Sequence, residues 1–259
     1  MEIRLATNEI VKDYLNRPWP KARTNRPAVR INMLASFDGK VNRTQEYKKP
    51  NEKGIGSYLD KYIMKVLRTR ADMVLNGAET LRSSGAKPII NQPELESIRH
   101  KEGFSKHPIG AVLSRKGNDL PLDSEFFTSP DFEALVFLWE SASAASIKRI
   151  KSTGRKVFTF ADNDLKALLK LLRQRFGVER LLVEGGPSVN DAFIKAGIVD
   201  ELYLTTSYKI VSGTSKEGIK SITDGASLKI GEEKDVKPLS IYYVPETNEL
   251  FQSVTFENN

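Results

Sequence analysis

The chain contains no cysteine, which excludes disulfides, thiolate metal sites and cysteine nucleophiles. Histidine is nearly absent too, with two in 259 residues. His100 and His107 fall in no catalytic or ligating pattern, and no metal constellation is found. Long apolar runs are missing: none approaches the roughly 18–20 residues that a membrane span needs. The opening "MEIRLATNEIVKDY" scatters charge where a secretory leader would be apolar. A cytoplasmic protein with no membrane partner is therefore expected. Acidic residues are in deficit, 33 against 40 basic, for a net charge of +7. The basic residues are spread along the chain and interleaved with acids ("KEGFSK", "GEEKDVK"), so the excess points to an anionic small ligand and not to nucleic acid.

What is present reads as an ordinary globular α/β chain, 39% hydrophobic and 28% charged, long enough for a substantial core. Residues 1–26, with "NRPWPKARTNRP", read as a polar extension over the surface, and residues 27–259 as a single domain. "AVRINMLA", "ADMVLNG", "IGAVLS", "ALVFLW", "ERLLVEGG" and "VDELYLTTSYKI" read as strands. "SYLDKYIMKVLRTR" reads as a helix capped by Ser57 and Asp60, with Leu59, Ile63 and Val66 on one face. "DNDLKALLKLLRQRFG" is a second helix, with Asp162 as its cap, a stripe from Leu165 to Phe176, and Gly177 at its end. "PSVNDAFIKAG" is a third, with Val189, Ala192, Phe193 and Ala196 on one face. "PLSIYYV" and "ELFQSVTFE" flank "PETN" as a closing hairpin. The stretch from Ser83 to Pro108 reads as a long irregular loop. Strands alternating with helices predict a mixed, mostly parallel sheet with helices on both faces and an antiparallel C-terminal edge.

Chemistry concentrates where strands end in glycine. In "VEGGPSVNDAF" a strand delivers Glu184 to a turn of Gly185 and Gly186, and Pro187 opens a helix. Free N–H groups and the dipole make such a helix start an anion site. The spacing is not that of a GxGxxG fingerprint, so a plain strand-to-helix turn remains open for this motif alone. "LNGAETLRSSG" repeats the pattern, with Gly77 at the turn and Thr80 at the helix start. "VLSRKG" places Ser114, Arg115 and Lys116 just past another strand end, a set suited to a phosphate monoester.

Three stretches, "NMLASFDGK", "ADMVLNGAETLR" and "LLVEGGPSVNDAFIKAGIVDELYLT", in this order and spacing, resemble the reductase of riboflavin biosynthesis, a dihydrofolate-reductase-like domain also found fused behind a deaminase. The resemblance runs from about Ala28 to the final hairpin. It implies a three-layer α/β fold and an NADPH-dependent reduction of the ribosylamino group of 5-amino-6-(5-phosphoribosylamino)uracil, or of its precursor before deamination, to ribitylamino. It implies that Gly185, Gly186, Pro187, Ser188, Val189 and Asn190 hold the phosphates on the nicotinamide side. Ala35, with Leu34, would touch the nicotinamide, and Gly77 and Thr80 would contact the dinucleotide. Ser114 or Arg115 would take the 2′-phosphate. Glu184 would face the substrate as a catalytic residue, with Asp38 as the other acid near the site. Asn32 would stand at the reacting end, in both catalytic and substrate-binding roles. Arg68 would reach substrate phosphate or sugar, and Ser36 would line the substrate side. A homodimer is expected on the same ground.

Two segments depart from the family pattern. "LRSSGAKPIINQP" puts Ser83 and Ser84 where acids stand in relatives, and "NEKGIGS" replaces a Ser-x-Trp-Ile segment. They keep a second reading open, a reductase of another small carbonyl, imine or pterin-like compound. A third reading is a non-catalytic nucleotide- or nucleic-acid-binding protein.

Overall fold

The computed structural model describes residues 2–42 and 54–257, with the side chains of residues 2–6 and Asn42 excepted. Its centre is a nine-stranded sheet built from β1 (Ala28–Ser36), β3 (Met73–Gly77), β4 (Ile109–Ser114), β5 (Ala134–Trp139), β6 (Lys156–Phe160), β7 (Arg180–Val183), β8 (Glu201–Ser207), β10 (Val236–Val244) and β11 (Glu249–Phe256). The spatial order is β10-β11-β8-β1-β7-β3-β4-β5-β6. From β8 to β6 neighbouring strands are parallel. β11 pairs antiparallel with β8 and β10 with β11. A short ribbon joins β2 (Lys40–Asn42) to β9 (Lys220–Ser221). The expected mixed sheet with a C-terminal hairpin is what the structure has, with helices packed on both faces.

β1, β3 and β7 are buried along nearly their whole length, as parallel strands covered on both faces must be. One face packs Val29, Ile31, Leu75, Leu181 and Val183 against the leucines of α7 (Leu165–Phe176) and Phe193 of α8 (Pro187–Lys195). The other packs Val74, Leu182 and Tyr203 against Leu59, Ile63, Val66 and Leu67 of α2 (Tyr58–Arg68). Each strand thus sends alternate side chains to opposite layers.

Four features differ from the sequence reading. The N-terminal segment carries helix α1 (Glu2–Asn16), and its Ile10 and Tyr14 are buried in the second core layer. Arg17, just beyond it, bonds Ser240 and Ser253 on the hairpin. Its signal is a narrow stripe, two core residues four apart, easily lost among charges. The stretch from Ser83 to Pro108 is not all loop: α3 (Ala78–Ser84) ends there and α4 (Pro93–Lys101) occupies its middle. Pro93 at the start, Glu94 and Glu96 in the first turn, and Arg99, His100 and Lys101 in the last match the helix dipole. Arg99 is 1% exposed and donates to the carbonyls of Arg68, Thr69 and Ala71, so it caps the end of α2. Asp164, not Asp162, caps α7 by accepting from the Ala167 N–H, whereas Asp162 accepts from the Ser141 N–H. Finally, α5 (Glu125–Thr128), α6 (Ala144–Lys151) and β6 complete the far edge of the sheet.

Candidate active site

The carboxyl ends of β1, β3, β4 and β7 open onto two adjoining clefts, the position at which open parallel sheets bind ligands. The first, about 630 Å³, has Asn32, Leu34, Asp60, Arg68, Thr80 and Glu184 in its wall. The second, about 860 Å³, runs past Gly77, Ser114, Arg115, Lys116, Ser188 and Val189. Gly186 belongs to both walls and marks where they meet.

Glu184 leaves the end of β7 and meets Arg68, the last residue of α2. The guanidinium Nε and Nη2 donate to the two carboxylate oxygens at 2.6 Å each, and Nη1 donates to the Ile89 carbonyl at 3.1 Å. Arg68 is 5% exposed. Such a two-bond pair has the geometry that makes arginine–carboxylate contacts strong and directional. Glu184 therefore reaches the cleft as a carboxylate with both oxygens engaged. Its own N–H is held by the Leu75 carbonyl at 3.0 Å, which ties the β7 exit to β3.

The two glycine turns lock into each other. The Gly77 N–H donates to the Gly185 carbonyl at 2.6 Å. A Cβ on Gly77 would lie 2.9 Å from Val189 Cγ2, one on Gly186 would lie 3.0 Å from Thr80 Oγ1, and Gly185 has φ +82°. The peptide between Gly185 and Gly186 is cis. What these glycines first allow is close approach of one turn to the other. Gly77 and Gly186 are also the N-cap residues of α3 and α8, and neither helix start carries a side-chain cap. Helix N–H groups thus face the second cleft without a side-chain acceptor, a setting that favours anionic groups. Arg115 and Lys116 add positive charge at its far end, where Arg115 stacks 5.9 Å from the centroid of Trp139. These residues fit a ligand with several phosphates, as a dinucleotide has.

Not every residue expected at the site opens onto a cleft. Ala35 and Ser36 are 2% and 1% exposed within β1. The Ser36 hydroxyl donates to Asp38 at 2.6 Å, and Asp38 also accepts from the N–H groups of Val211 and Ser212. Those bonds, the Ser36 hydroxyl foremost, hold the Asp38 carboxyl down to about 2. Asp38 therefore anchors the segment after β8. The Ser114 hydroxyl accepts from the Gly117 N–H at 3.0 Å and so shapes its own turn. Asn190 is buried, with its amide nitrogen donating to the Ile222 carbonyl, and Ser188 contacts Asp224 at 3.4 Å. Pro187 lines the first cleft at the start of α8.

The sequence reading placed Asp60 only as a helix cap. Ser57 alone does that work, accepting from the N–H groups of Leu59 and Asp60. Asp60 instead lines the first cleft, and its carboxyl is pushed up to about 6, chiefly by burial. Its position three residues after a serine cap hid it among ordinary first-turn acids. Of "NEKGIGS", residues 51–53 lie outside the described residues. Ser83 and Ser84, where acids were expected, line the first cleft together with Lys87. Among the described residues no cluster of three or more acids and histidines is arranged to hold a metal ion, and no helix is long and apolar enough to cross a membrane.

Residues 27–233 match the RibD C-terminal domain model. The chain is 29% identical over 209 residues to a 2,5-diamino-6-ribosylamino-4(3H)-pyrimidinone 5′-phosphate reductase of Aquifex aeolicus, covering 79% of this chain and 85% of that one. The Archaeoglobus fulgidus protein of the same description is 27% identical, covering 78% and 88%. A pyrimidine reductase-like protein from Corynebacterium diphtheriae, 22% identical, superposes with a TM-score of 0.77 over 96% of this chain and 99% of that one. The yeast riboflavin biosynthesis reductase Rib7, 16% identical, gives 0.62 over 96% and 98%. The family model spans the glycine turns, the Arg68–Glu184 pair and both clefts, and the chain belongs to the RibD C-terminal domain family.

Proposed function

We propose that this chain is an NADPH-dependent reductase of riboflavin biosynthesis that converts the ribosylamino group of a 5-phosphoribosylaminopyrimidine into a ribitylamino group. The observation that carries the reading is the meeting of the two clefts at Gly186, with uncapped helix starts on one side and the Arg68–Glu184 pair on the other. The second cleft takes the dinucleotide, with its phosphates against the turns of Gly77 and of Gly185–Asn190. Leu34 and Thr80, with Ala35 in the strand behind, border the nicotinamide end. When bound, the reduced nicotinamide supplies the hydride, so the protein contributes positioning and electrostatics. Glu184, fixed by Arg68, presents a carboxylate to the sugar hydroxyls beside the C=N carbon, and Asn32 addresses the pyrimidine. Asp38 holds its loop and does not react. The enzyme works in the cytosol, where such a phosphorylated substrate would reside. The deciding assay is NADPH oxidation with the authentic pyrimidine phosphate; no oxidation at any substrate concentration would reject the assignment. Ser83, Ser84 and Lys87 in the first cleft favour a second reading, a different small imine or carbonyl substrate, which the same assay separates.

Arg115 is assigned the 2′-phosphate. Arg115→Ala is expected to weaken NADPH binding about tenfold, the scale of one charge-assisted contact, and to leave NADH affinity unchanged. Equal losses in a fluorescence titration would move the 2′-phosphate elsewhere. Ser114→Ala should act differently, by loosening the turn for both nucleotides.

We also assign a homodimer across the outer hairpin. The edge strand β10 exposes Leu239 (42%), Ile241 (61%) and Tyr243 (47%). Tyr243 continues through Tyr208 to Phe37, with ring centroids 5.4 and 5.2 Å apart. An apolar patch on an edge strand is a natural association surface. Ile241→Asp with Tyr243→Glu should convert a dimer to a monomer in light scattering; a wild-type monomer at high concentration would remove the assignment.

A further inference from the structure

We propose that Asp60 is a catalytic residue, the acid that protonates the substrate nitrogen as the C=N bond is reduced. The inference rests on the reductase reading above and adds to it the proton source. Asp60 and Glu184 are the two carboxylates in the wall of the first cleft. Glu184 has both oxygens engaged by Arg68, so it is poorly placed to carry a transferable proton. Asp60 has no ion-pair partner among the described residues.

Its surroundings favour the neutral acid. Burial is the main cause, and it outweighs the hydrogen bond from the Thr205 hydroxyl of β8, which works the other way. β11 brings the Glu249 carboxylate, 1% exposed and bonded to the Ser57 N–H and hydroxyl at 2.9 and 2.5 Å. Glu184 adds negative charge from the end of β7. Of the cations on the same helix, Arg68 is paired to Glu184 and Lys65 bonds Asn91, while the charge of the exposed Lys61 works against the neutral form and is outweighed by burial. From β1, Asn32 and Leu34 bring no charge to the cleft. Backbone packing keeps the carboxyl in place, since a Cβ on Gly56 would lie 2.9 Å from Asp60 Oδ2. Burial among like charges is the arrangement that holds a carboxyl protonated near neutral pH.

The step balances as follows. The ribosyl ring first opens, its C1′–O4′ bond breaking as the nitrogen's proton passes to O4′, which leaves a neutral imine; the C=N carbon then receives the hydride, the π pair of the bond moves to nitrogen, and nitrogen takes the Asp60 proton. Asp60 is left as a carboxylate and the nicotinamide oxidised; solvent then returns a proton to Asp60. Because the acid must start protonated, turnover falls as pH rises through its pKa.

The test compares wild type with Asp60→Asn. The expected result is a kcat about a hundredfold lower, in line with loss of a general acid, with NADPH affinity in a fluorescence titration unchanged. The alkaline fall of kcat should be present in wild type and absent in the variant. An independent readout needs no turnover: the Asp60 carboxyl ¹³C resonance of the ligand-free protein, identified by its loss in Asp60→Asn, should titrate with a midpoint about two units above an ordinary aspartate, whose pKa is near 4. A variant with wild-type kcat, or a midpoint at the ordinary value, overturns the assignment while the reductase reading stands. A wild type that never oxidises NADPH with the pyrimidine phosphate overturns both.

Discussion

Glu184→Gln is expected to slow turnover by about a hundredfold or more while NADPH affinity stays within a few-fold of wild type, a loss of transition-state stabilisation of about 3 kcal/mol. The substitution keeps the shape but turns one acceptor oxygen into a donor, facing a guanidinium that can only donate. Arg68 then keeps one bond of two and loses the charge that holds it. On the proposed reading the dinucleotide lies against the other face of the Gly186 turn, so its affinity should be spared. Arg68→Ala should be harsher to the fold. It leaves the Glu184 carboxylate and the Ile89 carbonyl without their donors in a buried wall. Removing one partner of a buried ion pair costs about 3–5 kcal/mol, which for a chain of this size lowers Tm by roughly 10 °C. Steady-state kinetics, nucleotide titration and thermal unfolding on both variants check these outcomes. A near-normal rate in Glu184→Gln would make the pair a scaffold element.

Gly185→Ala should disable the turn itself. At φ +82° a side chain costs about 1–2 kcal/mol, and the new Cβ would lie 2.9 Å from Met33 Sδ. Gly154 supplies the control, with φ +84° and nothing within 4 Å of a built Cβ. Gly154→Ala should therefore show the conformational cost alone. Gly185→Ala should add displacement of Met33 and of the Gly185 carbonyl that holds the Gly77 N–H. NADPH affinity is expected to fall at least about tenfold, or 1.4 kcal/mol, in Gly185→Ala and not at all in Gly154→Ala. Equal effects of the two on nucleotide binding would separate this turn from the cofactor.

The sheet and the glycine turns that lead from strand to helix were legible because both are written locally. A run such as "ERLLVEGGPSVNDAF" states its strand, its turn and its helix start within fifteen letters. Contacts across the fold were not legible. Nothing near Arg68 indicates that its guanidinium meets Glu184, 116 residues away, although both were singled out. Asp38 looked like a site acid because its turn sits beside the motif, yet its partners are the Ser36 hydroxyl and the backbone N–H groups at 211 and 212. Asp60 was misread for the reverse reason. Three residues past a serine cap, an acid is explained by the helix alone, and only the placement of Thr205 and Glu249 beside it reveals another use. Helices α1 and α4 escaped because their buried residues are few and their charges many.

The strand order has a consequence for how the chain is made. β1, near the start of the chain, is flanked by β7 and β8 from its last third. On a ribosome adding roughly 5–20 residues per second, the middle of this sheet stays without neighbours for about ten to thirty seconds after it emerges. Slow decoding between the two regions would lengthen that wait, and a trigger-factor-type chaperone would find its substrate in "AVRINMLA".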